Sequence, residues 1–186
     1  GDFELAIRID YDPATKTLLP GKTHASRQWI ICLTAFKNRK RELMGPGSYT
    51  ELFFLDEVVA LAAGHRPCAE CRRGDFKRYC AAISPNGQPV KAPDIDRQLH
   101  AQRTGEPAVL TKAEAGLLPN GAMIARGDNA FAKRGVYALP FGVSGYGKKR
   151  LWDEVATTGA ILLTPPASII ALHNGYIPVW HLTATS

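Results

Sequence analysis

Gly64-His65-Arg66-Pro67-Cys68-Ala69-Glu70-Cys71 is the stretch on which the reading of this chain turns. Two thiols three residues apart at a tight turn can grip one ion from one side. Zinc then takes two further Cys or His ligands to close a tetrahedron. Arg66, Arg72 and Arg73 flank the pair, and nearby positive charge favours the thiolate that a metal requires. Pro67 restricts the approach to the first cysteine. A redox Cys-x-x-Cys pair sits at the start of a helix, whereas here a helix ends just before the pair. Zinc is therefore the expected cofactor.

Working outward, Asp56 is placed to cap a helix from Glu57 to Ala63, and Gly64 stands where a left-handed cap belongs. Upstream, Glu4 to Tyr11 alternates as a strand. Gln28 to Phe36 and Leu52 to Leu55 read as two more. Downstream, Gly74-Asp75 opens a helix whose apolar stripe is Phe76, Tyr79, Cys80 and Ile83. Asp94 to Arg103 forms a polar helix, and Lys112 to Gly116 a helical turn. Beyond Pro119 the texture changes to short strands separated by glycine turns: Ala122 to Arg126, Gly135 to Leu139, Lys149 to Trp152 and Ala160 to Leu163. A helix over Ala167 to Asn174 and a closing strand over Tyr176 to Leu182 complete the chain. The fold class is α+β. A small zinc-centred unit of strands and short helices (1–118) packs with a C-terminal antiparallel meander (119–186). One internal echo links the two parts: DEVVALAAGHRP (Asp56–Pro67) and ASIIALHNGYIP (Ala167–Pro178) both run a short helix into Gly-x-x-Pro, with Val179 where the first copy has Cys68.

Phe53-Phe54, the helix end Ala60-Leu61-Ala62-Ala63-Gly64 and the turn Arg66-Pro67-Cys68-x-x-Cys71 resemble the second half of the zinc-binding N-terminal domain of the Ada DNA-repair proteins. The likeness runs from Leu52 to Arg72. It implies two of four zinc cysteines and a DNA partner. That family's other pair, Cys-x-x-x-Cys, supplies the cysteine that accepts a methyl group from damaged DNA. It is not matched here, because Cys32 stands alone upstream. The resemblance thus implies a divergent zinc-binding relative and not a phosphotriester methyltransferase.

The other two ligands must come from elsewhere in the chain. Cys32, on one strand face with Ile30 and Thr34, is the expected third; a buried apolar thiol is the alternative. His24 is the expected fourth, ahead of His65, and Cys80 belongs to its helix's packed stripe. A second constellation is catalytic in type. Asp96 and His100 lie four apart on one helix, with Arg103 a turn on, so the carboxylate could orient the imidazole for acid–base work. An exposed, charge-laced helix is the plainer account of the same pattern.

With 186 residues, 45% hydrophobic and 22% charged, the chain can bury a core without disulfide staples. No apolar run is long enough for a membrane helix, the N-terminus has no signal-peptide pattern, and a cytoplasmic location is expected. The net charge of +6 is compatible with nucleic acid. Candidate contacts are Arg39, Lys40 and Arg41 in the densest basic run, Arg66, Arg72 and Arg73 beside the cysteines, and Lys148 and Lys149. The expected function is a zinc protein that binds DNA, in repair or processing of damaged or modified DNA. Two rivals stay open: a metal-assisted nuclease or glycosylase using His100 and Asp96, and a zinc-stabilised protein-interaction module.

Overall fold

A computed structural model describes residues 3–7, 11, 12, 14, 15, 17, 18, 24, 26–37, 50–88 and 90–185. The basic residues Arg39, Lys40 and Arg41 lie outside the described residues. The first sheet is built from β1 (Phe3–Ile7), β4 (Ile30–Leu33), β5 (Thr50–Phe54) and β6 (Arg66–Pro67), while β2 (Tyr11–Asp12) and β3 (Thr17–Leu18) form a separate hairpin. Its order is β5-β1-β4-β6. Strand β1 pairs antiparallel with both neighbours, and β6 joins β4 in parallel. Cys32 thus sits in a central strand, and the turn leading to Cys68 is part of the sheet.

Three helices cover this sheet. The first, α1 (Glu57–Ala62), starts as expected: the Asp56 carboxylate accepts from the Val59 amide at 3.0 Å. It is followed by α2 (Arg73–Ile83) and α3 (Ala92–Thr104). Tyr79, Ile31, Leu61, Ile95 and Leu99 are buried together, with Phe76, Cys80 and Ile83 packed against them. Removing such side chains from water is what holds short elements in place.

After β7 (Val109–Leu110) and α4 (Lys112–Gly116), the expected meander follows. It comprises β8 (Met123–Arg126), β9 (Asn129–Arg134), β10 (Tyr137–Gly142), β11 (Gly145–Tyr146), β12 (Arg150–Leu151), α5 (Trp152–Val155) and β13 (Ala160–Leu162). All pairings are antiparallel in the order β11-β10-β9-β8-β13-β7, with β12 also on β10. The class is α+β. Strand β9 lies in the middle of this sheet and was not expected, because its Ala-rich stretch has weak intrinsic strand preference. Lys149 to Trp152 is only half a strand, since Trp152 starts α5. The last helix, α6 (Pro166–His173), packs on α2 and α3 and adds Ala167, Ala171 and Leu172 to the first core.

The expected closing strand over Tyr176 to Leu182 does not form. Pro178 has no amide hydrogen to give a ladder. The amides of Val179 and His181 donate instead to the carboxylates of Glu57 and Asp56, at 2.9 and 3.0 Å.

Candidate metal centre

The turn that presents Cys68 is set by how α1 ends. Gly64 takes φ +81°, which a residue with a Cβ rarely adopts. The His65 amide reaches back to the Ala60 carbonyl (3.1 Å) and the Gly64 amide to Leu61 (3.0 Å). This paired closure satisfies the helix's last carbonyls and throws the chain into β6. There the Arg66 amide donates to the Trp29 carbonyl (3.2 Å) and the Cys68 amide to Ile31 (3.0 Å). These bonds align Cys68 with the end of β4, where Cys32 lies. The Sγ atoms of Cys32, Cys68 and Cys71 all fall within 4.8 Å of one another. Sulfurs about 2.3 Å from one tetrahedral zinc stand about 3.8 Å apart, so the trio is close enough to hold an ion. Two backbone amides point at the sulfurs: Glu70 at Cys68 and Leu33 at Cys71, each at 3.4 Å. Such bonds orient thiolate ligands and stabilise their charge. The Cys68 thiol is also pulled well below its ordinary range, first by hydrogen bonding from Cys32 and then by Cys71. Three sulfurs gathered this closely are a set of donors suited to a soft cation.

Cys32, the expected third ligand, therefore joins the pair. His24, expected as the fourth, does not; its ring packs edge-on against His100, with centroids 4.7 Å apart. Among the described residues no fourth Cys, His, Asp or Glu completes the group. His65 also stays out. Its ring lies between Trp29 and Phe54 (4.9 and 5.2 Å), with Nδ1 3.2 Å from the Ala60 carbonyl.

The flanking arginines have other work than the one expected. Arg66 is 1% exposed and grips Asp96 with two bonds of 2.7 and 2.8 Å. Arg72, 4% exposed, holds both oxygens of the fully buried Glu57 at 2.9 Å and also bonds Asp75. Neither can face a phosphate. They tie the metal turn to α3 and to α1. Of the three, only Arg73 is exposed.

The same bonds undo the expected catalytic pair. Asp96 is committed to Arg66, so it does not orient His100. His100 instead has Nδ1 3.1 Å from an Arg103 nitrogen, and its proton affinity is lowered by burial first and then by the Arg103 charge. Asp56 and Glu57, read only as helix-start residues, prove to be buried anchors. Asp56 accepts from Tyr146 (2.9 Å) and Glu57 from Tyr176 (2.6 Å), in addition to the tail amides. Two adjacent acids leading an apolar helix were the available signal.

Lys148 and Lys149 are exposed on the far sheet, where with Arg150, Tyr137 and Tyr146 they line a groove of about 660 Å³. Lys149 lies over the Tyr137 ring at 4.9 Å. No known family model, curated protein or solved structure matches the chain. No helix among the described residues is long and apolar enough to cross a membrane.

Proposed function

We propose that this is a zinc protein that binds DNA, with the ion locking β4 to the turn before α2. The observation that carries the zinc reading is the gathering of three sulfurs from strand β4 and from the turn that follows β6. Thiolate donors with amide support suit zinc better than calcium or magnesium. The DNA reading rests on the net charge and on the resemblance of residues 52–72 to the Ada zinc domain, with its repair context. Its contacts are the exposed Lys148, Lys149 and Arg150 groove, and Arg73, Lys77 and Arg78 on the outer face of α2.

The test has two parts. Protein purified without chelator should hold about one zinc per chain. Binding to single-stranded and duplex DNA should weaken steeply with salt, and Lys148→Ala with Lys149→Ala should flatten the duplex slope by about two phosphate contacts. Metal-free protein with an intact fold would sink the zinc reading. No binding at low salt would leave the zinc-stabilised interaction module.

A second reading has one observation in its favour. A zinc ion on these three thiolates would take its fourth ligand from outside the described residues or from water, and an open position is what a metal-assisted enzyme on nucleic acid needs. Its His100–Asp96 form has no support in the geometry.

A further inference from the structure

The β4–β6 pair carries cysteines at one end and a different set of side chains at the other. Trp29 precedes β4, His65 precedes β6, and Arg103 reaches across from α3 to lie with its guanidinium carbon 3.9 Å from the Trp29 ring centroid. This end opens into a cleft of about 680 Å³ between the ends of α1 and α3 and strand β13. Trp29 at this end stands three positions before Cys32 along the chain, a span of about 10 Å. We propose that this cleft binds a small organic anion with a flat, largely apolar body, seated on Arg103 and Trp29. The proposal does not depend on the metal or on DNA binding.

The charge is the first reason. Arg103 forms no ion pair among the described residues, and Asp96, the acid that acts on it, is already held by Arg66. Two of its nitrogens donate to the carbonyls of Gly64 (3.2 Å) and Arg27 (3.0 Å), which fix its position without neutralising it. A cation with no counter-ion beside a low-dielectric wall attracts an anion strongly. Burial already lowers its proton affinity, to a pKa of about 10.

Unmet donors are the second reason. The Arg103 Nε–H and the Trp29 Nε1–H are both buried without an acceptor among the described residues. Leaving such groups unpaired is costly, and native structures seldom do so without cause. Both belong to side chains that line the cleft; the two atoms are themselves sealed beneath its wall, and an oxyanion over the guanidinium would answer the Arg103 charge.

Shape is the third. Most of the wall is apolar, including Ala63, Pro107, Leu162 and Pro166. Of the polar residues there, Gln102 already accepts from the Ala167 amide (3.0 Å), and Glu106 stands exposed at the rim. A bare inorganic anion would leave that wall in water. A guanidinium stacked on one aromatic face readily takes a second planar group on the other. The volume lies within the range of small-molecule sites. The seat is also built into the backbone: a Cβ on Gly64 would come within 3.1 Å of the Arg103 stem.

The test is an NMR titration of the full chain, following the Trp29 indole N–H. Benzoate and adenosine monophosphate supply ring plus anion. Benzamide and adenosine supply the ring alone, and inorganic phosphate the charge alone. At least one ring-bearing anion should saturate, and its uncharged or ringless counterparts should bind tenfold or more weakly. Whether benzoate or the nucleotide wins distinguishes a carboxylate from a phosphate ligand. Arg103→Gln should weaken binding at least tenfold. Ala101→Phe, on an exposed helix position lining the cleft, should do the same by filling it while leaving Arg103 in place, and this variant decides alone if Arg103→Gln does not fold. Absence of saturable binding by both ring-bearing anions, or undiminished binding in Ala101→Phe, overturns the proposal.

Discussion

The two Gly-x-x-Pro turns share one local geometry and lead to opposite outcomes. Gly175 takes φ +88° as Gly64 takes +81°. The Tyr176 amide returns to Ala171 at 2.9 Å, and the Gly175 amide to Leu172 at 3.2 Å, reproducing the closure around Gly64 bond for bond. After the first turn Arg66 is buried and the chain enters a sheet, delivering Cys68 to Cys32. After the second, Ile177 is 84% exposed and the chain runs as coil. Its exit is caught by the first copy: the Glu57 amide donates to the Val179 carbonyl at 3.2 Å, and the Glu57 carboxylate accepts the Val179 amide. The lesson is that the turn supplies only direction. Whether it joins a cysteine cluster that could hold a metal depends on a free strand edge, here β4, and on one residue at the exit.

The most damaging way to break the comparison is at that residue. Cys68→Ser should abolish stoichiometric zinc and destabilise the fold by several kcal/mol, read by metal analysis and thermal unfolding with and without chelator. Val179→Ser, at the matching position, should leave zinc content unchanged and cost under about 1 kcal/mol. Equal losses in the two variants would mean that the cysteine acts only as packing.

Next come Glu57 and its counterpart Ser168. Glu57→Gln leaves the buried Arg72 guanidinium without its main counter-charge, and should cost roughly 3 kcal/mol or more in denaturant melts. Ser168→Ala removes one buried hydrogen bond with Tyr79 (2.9 Å), worth about 1 kcal/mol. If the serine costs as much as the acid, the ion pair is not the anchor described above.

The glycines themselves sharpen the contrast. A Cβ at Gly175 meets nothing within 4 Å, so Gly175→Ala should show only the left-handed strain, about 1 kcal/mol. At Gly64 the same methyl also crowds Arg103, so Gly64→Ala should cost about twice that and shift the Trp29 indole resonance. Matching melts and an unmoved indole signal would show that Arg103 is not held there.

The smallest effect separates His65 from Tyr176. Burial, and then the Arg103 charge, depress the His65 pKa to about 3. An unfolded chain takes that proton near pH 6.5, so below 6.5 the unfolded state binds more protons and stability falls with pH. Between pH 7 and 5.5 the loss should be about 1 kcal/mol. Tyr176 does not titrate in that window. His65→Phe should remove this share of the slope, and a slope identical to the parent's would place the imidazole in solvent.

Local chemistry was readable from the residues in order. The Asp56 cap, the Gly64 turn, the Lys112–Gly116 helix and the stripe on α2 each depend on neighbours within a turn or two. Cys32 was readable because strand alternation puts it on a definite face. What escaped reading depends on partners far along the chain. Arg66 looked like a surface cation because Asp96, thirty residues on, is invisible to spacing. Tyr176 to Leu182 looked like a strand because nothing in its own pattern shows that two of its amides bond carboxylates 122 and 125 residues away and not a neighbouring strand. His24 was plausible as a ligand by type, and only the contact of its ring with His100 on α3 shows otherwise.

The long reach from the tail to Asp56 and Glu57 also orders events in time. Closing a loop of more than a hundred residues is slow and rewards the chain late. During synthesis the cysteine turn and α1 emerge long before Tyr176, Val179 and His181. Until those residues arrive, two acids that end up desolvated remain in water, and the Glu57–Arg72 pair is open to exchange. The anchoring of Asp56 and Glu57 is thus completed from the far end of the described chain. A ribosome stalled before Tyr176 would hold the cysteines in hand with the anchor of α1 still unmade.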